Sequence, residues 1–312
     1  MTLYLGLDAS SYTSSVALVD GAGELVADRR LPILVRAGDR GLRQSEVLFR
    51  HIGQLPEVLA GALTEAGGPV MAVAASVRPR PDPASYLPCF RASRGLGMAV
   101  AAALRVPFVP VSHQEGHILA ALRGRRPPAE RFLALHLSGG TTELVACAPE
   151  DRGLAVQSLG TGLDIHAGQF VDRVGVAMGL PFPAGPDLEA LARQGTAGAV
   201  CLPVAVHGVR PSFAGPESAA MRALQAGAAP ADVALAVLHC LARACEQSLR
   251  AAMDATGLRD IVLSGGVAAN ALLRERLEGR LGHARLHWPG SALATDSAAG
   301  PAWLARAALM GW

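Results

Sequence analysis

Leu3-Tyr-Leu-Gly-Leu-Asp8, then Ala9-Ser-Ser-Tyr-Thr-Ser14, then Ser15-Val-Ala-Leu-Val-Asp20 are the segments from which the fold is read. The outer two are short apolar runs that predict strands, and the hydroxyl-rich middle one predicts a turn. Gly21-Ala-Gly23 then predicts a hairpin into a third strand, Glu24 to Arg30. The pattern returns after the polar linker Arg123 to Glu130, as Phe132-Leu-Ala-Leu-His-Leu137, Ser138-Gly-Gly-Thr-Thr142 and Glu143-Leu-Val-Ala146. Such a repeat predicts two duplicated lobes, 1–128 and 129–312, each supplying one phosphate-binding turn. A final helix at about 296–310 is expected to pack back on the first lobe.

A hydroxyl-rich turn after an Asp-ended strand is how the two-lobed actin/hexokinase-type ATPases begin, with turn amides and hydroxyls facing nucleotide phosphates. The turn alone leaves a plain β-hairpin open; Ser10 and Ser11 are its candidate ligand contacts. A third turn strengthens the nucleotide reading. In Leu263-Ser-Gly-Gly-Val-Ala-Ala-Asn270 an apolar strand runs through Gly265 and Gly266 into a helix, where small residues admit a ligand and the helix N-terminus favours an anion. The expected class is therefore α/β, with duplicated ribonuclease-H-like lobes around a nucleotide cleft.

His113-Gln-Glu-Gly-His117 follows the apolar strand Val106 to Val111, and Ser112 stands where an N-cap would start a helix. On a helix the two imidazoles share a face and suit a divalent metal, although the pair alone leaves an ordinary polar face open and lacks a third ligand. The metalloprotease pattern H-E-x-x-H is absent: Gln114 follows the first histidine, and Glu115 points off the histidine face.

Bulk composition narrows the classes further. The chain has 312 residues, 51% of them hydrophobic, and a net charge of +2, which does not by itself imply nucleic-acid binding. All 28 basic residues are arginine, which excludes a P-loop lysine, a Schiff base and a lysine general base. Arg29-Arg30, Arg36 to Arg43 and Arg123 to Arg126 are either solvated surface or parts of a basic face. Five scattered cysteines without a C-x-x-C pair argue against a disulfide framework or structural zinc. There is no signal peptide pattern and no uninterrupted apolar run of spanning length, so a cytoplasmic location and no membrane partner are expected.

Taken in order, these motifs resemble the family of TsaD, the transferase subunit of tRNA threonylcarbamoyladenosine synthesis, and its archaeal and eukaryotic relatives, formerly called O-sialoglycoprotein endopeptidases. The resemblance runs from Leu5-Gly-Leu-Asp-Ala-Ser10 through Leu163 to Asp172, Phe182 to Pro186 and Ser212 to Gly215, ending at Ala294-Thr-Asp-Ser297. It implies one divalent metal, iron or zinc, on His113, His117 and Asp296. It also implies a nucleotide, ATP or threonylcarbamoyl-AMP, lined by Ser138, Gly139, Gly140, Asp172, Gly185 and Asn270, with Ser138 and Asp172 in the catalytic set. The implied reaction moves threonylcarbamoyl from AMP to an anticodon-loop adenosine of tRNA. The implied partners are tRNA and other subunits of the pathway, or a family paralogue.

Several positions depart from the family pattern. Thr141 replaces a histidine, Ser11-Tyr-Thr-Ser14 replaces C-D-E-T, and Ser76-Val-Arg-Pro-Arg-Pro-Asp-Pro83 replaces a glycine-rich loop. Glu217 stands for a basic residue and Ser297 for an asparagine. The pattern of a divergent paralogue leaves two readings open: a transferase, or a protein that keeps metal and nucleotide but regulates a partner or uses another acceptor.

Overall fold

The computed structural model describes residues 1–10, 12–34, 42–151, 153–290 and 293–312, which form two compact units. One comprises Met1–Pro127, Ala148–Ala155 and Gly290–Trp312, the other Pro128–Cys147 and Val156–Pro289. Ser11, Arg36 and Arg40 lie outside the described residues.

The first unit opens with β1 (Leu3–Ser10), β2 (Thr13–Asp20), β3 (Leu25–Pro32), α1 (Gln44–Ala66), β4 (Val70–Arg78), α2 (Phe90–Leu104), β5 (Phe108–Ser112) and α3 (His113–Leu122). Its sheet has the order β3-β2-β1-β4-β5; β1 is antiparallel to β2 and parallel to β4, which is parallel to β5. β1 is buried along its whole length because both its faces are covered. Leu3, Leu5 and Leu7 join a core with Leu55 and Leu59 of α1 and Ala101 of α2, each buried leucine contributing about 1.5–3 kcal/mol. β1 and β2 run further into the hydroxyl-rich segment than its composition suggests. Ser10 pairs with Thr13 and Ala9 with Ser14, because serine and threonine are compatible with a strand where a partner strand is present.

The second unit contains β6 (Phe132–Leu137), β7 (Thr142–Glu150), β8 (Gly153–Thr161), α4 (Ala167–Ala177), α5 (Gly185–Ala192), β9 (Ala205–His207), β10 (Arg210–Ser212), α6 (Ala214–Gln225), α7 (Pro230–Thr256), β11 (Asp260–Ser264), α8 (Ala271–Arg280) and β12 (Arg285–His287). The tip of the β7–β8 hairpin groups with the first unit. The sheet order β12-β11-β6-β7-β8 repeats that of the first unit, with β6 in the central place of β1. β6 is antiparallel to β7 and parallel to β11, as β1 is to β2 and β4. The duplicated ribonuclease-H-like plan is thus visible in both sheets. α7, 27 residues long, runs through the core of this unit, where Val233, Val237, Leu241 and Leu249 are fully buried. Among the described residues no helix is long and apolar enough to cross a membrane.

The last helix, α9 (Ala299–Met310), belongs to the first unit and packs on β1, β2 and α3. Gly6 makes the β1 contact: a Cβ there would lie 2.2 Å from the Ala298 carbonyl oxygen and 2.4 Å from the Ala302 nitrogen. The face of β1 opposite its leucines is therefore sealed by helix backbone.

Candidate metal centre and nucleotide turns

α3 starts without a linker at the end of β5, and its first turn is fixed by a reciprocal cap. The Ser112 hydroxyl accepts from the Glu115 amide, and the Glu115 carboxylate accepts from the Ser112 amide at 2.8 Å. Glu115 also accepts from the Leu154 amide at 3.1 Å, so both its oxygens are engaged in holding backbone. A protease-type base is not what this glutamate provides.

With the helix so anchored, His113 and His117 stand one turn apart with their Nε2 atoms 3.0 Å from each other. Asp296, from the segment before α9, brings its Oδ1 to 3.5 Å from His113 Nε2 and 3.3 Å from His117 Nε2. Backbone contacts position that segment. The Ser15 hydroxyl of β2 accepts from the Ala298 amide at 2.8 Å, and the Ser297 hydroxyl accepts from the Ala299 amide at 3.0 Å.

The three donor atoms fit one divalent ion. Ligands about 2.0–2.2 Å from a tetrahedral ion stand roughly 3.3–3.6 Å apart, and ligands at right angles about 3.0 Å apart, so the observed triangle matches either geometry. Two imidazoles and one carboxylate suit iron as well as zinc and leave coordination positions open. Asp8, at the end of β1 and 1% exposed, accepts from His113 Nδ1 at 2.9 Å, which directs the Nε2 lone pair of His113 at the ion position. Burial would lower the His113 pKa, but the carboxylates of Asp8 and Asp296 outweigh it and raise it to about 10. Burial likewise opposes ionisation of Asp296, and the hydrogen bonds from His113 and His117 overcome it, holding this carboxyl well below its usual range. Without metal the cluster is a protonated histidine paired with carboxylates; an ion must displace that Nε2 proton.

Ser10, also at the end of β1, donates its amide to the second oxygen of Asp8 at 3.1 Å, while its buried hydroxyl has no protein partner. In the second unit, Ser138 closes a tight turn with Thr141, donating its amide to the Thr141 carbonyl at 2.8 Å and accepting the Thr141 amide on its hydroxyl at 3.1 Å. Gly139 and Gly140 at the tip are exposed, with open space where side chains would be. Two close approaches require glycine around this turn. A Cβ on Gly168 would lie 2.6 Å from the Gly139 nitrogen, and Gly265, at φ +89°, would place one 2.3 Å from the Leu137 carbonyl oxygen. Gly168 and Gly265 thus hold the Ser138 turn and the Gly265–Gly266 turn against the same strand end.

Asp172 of α4 accepts from the Ala184 amide at 2.8 Å, next to Gly185, and its carboxyl is pushed up by burial. Asn270 caps α8, accepting from the Leu273 amide at 2.8 Å, and Glu189 of α5 accepts from the Ala271 amide at 3.2 Å. Side chains of the protein thereby occupy first-turn amides of a helix whose N-terminus the sequence offered to an anion. His136 is buried and hydrogen-bonded to Ser264 at 3.0 Å. Glu217, at the start of α6, is near Arg173 at 3.5 Å. Sequence reading missed Asp8 as the orienting carboxylate, Ser15 as the anchor of the Asp296 segment, and Glu189.

The sequence model of TsaD, tRNA N6-adenosine threonylcarbamoyltransferase, matches residues 50–303. A tRNA N6-adenosine threonylcarbamoyltransferase of Polaromonas sp. (strain JS666 / ATCC BAA-500) is 34% identical over 331 aligned residues, covering 95% of this chain and 88% of that protein. HypF of T. kodakarensis is similar in structure with a TM-score of 0.63 and 16% identity, over 99% of this chain and 48% of HypF. A ROK family glucokinase from Streptomyces griseus, solved with glucose and AMPPNP, gives 0.56 and 14%, over 97% and 99% of the respective chains. These likenesses show the fold, the actin/hexokinase-type ATPase architecture that the repeated strand-turn-strand pattern predicts.

Proposed function

We propose, since this chain belongs to the TsaD family of transferases, that it moves a threonylcarbamoyl group from threonylcarbamoyl-AMP to the exocyclic amine of an anticodon-loop adenosine in tRNA. The observation that supports this most is the triangle of His113, His117 and Asp296 with Asp8 behind it. When bound there, a divalent ion supplies a Lewis acid that polarises the carbamoyl group. The residues of the chain do the rest. Asp8 keeps the Nδ1 proton of His113 in place and so fixes its ring. Gly139 and Gly140 offer backbone amides to phosphate, Asp172 offers its second oxygen to ribose hydroxyls, and Asn270, Gly185, Gly265 and Gly266 border the adenosine. Ser138 shapes the first of these turns. In the reaction the adenosine nitrogen forms a bond to the carbamoyl carbon and gives up one proton to solvent, the bond from that carbon to the phosphate oxygen of AMP breaks, and AMP leaves. Positioning of the two reactants carries most of the rate enhancement.

The same reading gives two lobes, 1–128 and 129–312 with the final helix packed back on the first, a cytoplasmic site of action, and tRNA with subunits of the pathway as partners. Incubating the purified chain with iron or zinc, threonylcarbamoyl-AMP, tRNA and candidate partner subunits tests it by mass spectrometry of the digested tRNA. Threonylcarbamoyladenosine that disappears with His113→Ala is the expected result. A second reading, a paralogue that binds metal and nucleotide but regulates a partner or serves another acceptor, is favoured by Thr141 and by Glu217, an acid where the family has a base. Nucleotide and metal binding without product in any combination of subunits would select it.

A further inference from the structure

Outside these residues, the second unit contains a basic cavity to which the proposed reaction gives no role. α7 presents His239 and Arg243 at one helical spacing, α8 presents Arg276 and Arg280 at the same spacing, and the segment from Gly198 to Val204 closes the third side. The cavity has a volume of about 190 Å³, with Val200, Leu202, Val204 and Ala236 as apolar wall.

The polar groups here are arranged for a ligand of the opposite sign. Arg276 Nε and His239 Nε2 are both buried without a hydrogen-bond partner. Such a group is destabilising unless a ligand or water answers it. Of the cavity arginines Arg280 is paired, with Glu246 at 3.0 Å; Glu246 also binds Arg250 at 3.1 Å, and Glu275 lies 3.6 Å from Arg193. Arg243 has no ion pair among the described residues. Burial, then the charges of Arg276 and Arg280, hold the His239 pKa below its ordinary value.

A metal is the wrong occupant. Cys240 donates its thiol to the Pro203 carbonyl at 3.2 Å, burial pushes its pKa up to about 12, and three guanidinium groups surround the space. A nucleotide is too large, since ordinary pockets for ligands of that size begin at about 300 Å³.

We propose that this cavity is a binding site for one small oxyanion of the phosphate type, either free phosphate or the phosphate of a small monoester. Arg243 and Arg276 supply charge-assisted hydrogen bonds, and His239 supplies a third donor against the apolar wall. The site uses residues the transferase reading does not, so either can fail alone.

The test is a titration of the full chain with inorganic phosphate, followed by the histidine ring signals in NMR, with His239 assigned from His239→Gln. A saturable shift of His239 is expected. Arg276→Gln, and separately the exposed and structurally safer Arg243→Gln, should each weaken binding roughly tenfold or more while leaving AMP binding unchanged. Glycerol phosphate titrated in parallel identifies the source: tighter binding than phosphate marks a monoester site, weaker binding a free-phosphate site. Absence of a saturable His239 shift, or equal affinity in wild type and Arg243→Gln, overturns the proposal. So does a shift produced by tRNA and by neither small anion.

Discussion

Gly116 of α3 and Gly300 of α9 meet backbone to backbone: a Cβ on Gly300 would stand 1.9 Å from the Gly116 carbonyl oxygen. Gly116 sits between the two histidines and Gly300 lies four residues after Asp296, so this contact ties together the two segments that carry the proposed metal ligands. Gly300→Ala must push α9 away from α3. Overpacking of this kind costs about 1–3 kcal/mol, and the bound metal per chain should fall at the same time. Urea unfolding and elemental analysis check both; an unchanged midpoint with full metal content would contradict the role given to the contact.

Asp8→Asn keeps the size of the side chain but weakens the hold on His113 Nδ1–H. Metal affinity should drop by about 10–100-fold with the far-ultraviolet circular dichroism unchanged. Competition against a chelator of known affinity measures the drop. Equal affinities in variant and wild type would remove Asp8 from the site.

Iron or zinc added to the metal-free chain should raise the unfolding temperature, and the rise should grow with ion concentration because binding favours the folded state. The same ions should leave His117→Ala unmoved, since two donors remain from a set of three. A thermal scan with and without chelator decides; an identical rise in the variant would mean that the ion binds elsewhere.

Acid should weaken the second unit through Asp164. Its carboxylate accepts from the Ser212 hydroxyl and from the Phe213 and Ala214 amides at the start of α6. Burial opposes its ionisation, but these bonds prevail and hold the pKa below its ordinary 3.8. A depressed carboxylate stabilises the fold above its unfolded pKa and loses that contribution as pH falls through the folded value. Unfolding curves from pH 6 downward should therefore fall more steeply for wild type than for Asp164→Asn below about pH 4. Parallel curves would refute the assignment.

Much of this architecture was legible because it is local. The cap at Ser112, the histidine spacing, the apolar strands and the repeated strand-turn-strand pattern each lie within a few residues, and the sheets and α3 follow them. The first turn was read too long because a run of hydroxyls looks like a loop until a partner strand pairs it, as Thr13 pairs Ser10. The supporting side chains were not legible at all. Asp8 acts on a histidine 105 positions away, and Glu189 on an amide 82 positions away. Neither position differs in sequence from an ordinary acidic residue at the end of a strand or on a short helix. Only the parallel placement of β1, β4 and β5 brings the first strand end beside the start of α3.

The two oxygens of Asp8 have different occupations: one holds the ring of His113, the other the amide of Ser10. A single buried carboxylate thus links the Ser10 amide at the end of β1 to the proposed metal ligand His113. Any ligand that draws the Ser10 amide to itself withdraws it from Asp8 and changes the basicity His113 offers an ion. By reciprocity the ion then alters that ligand's affinity to the same degree. Turn and ion would answer to one another through one side chain.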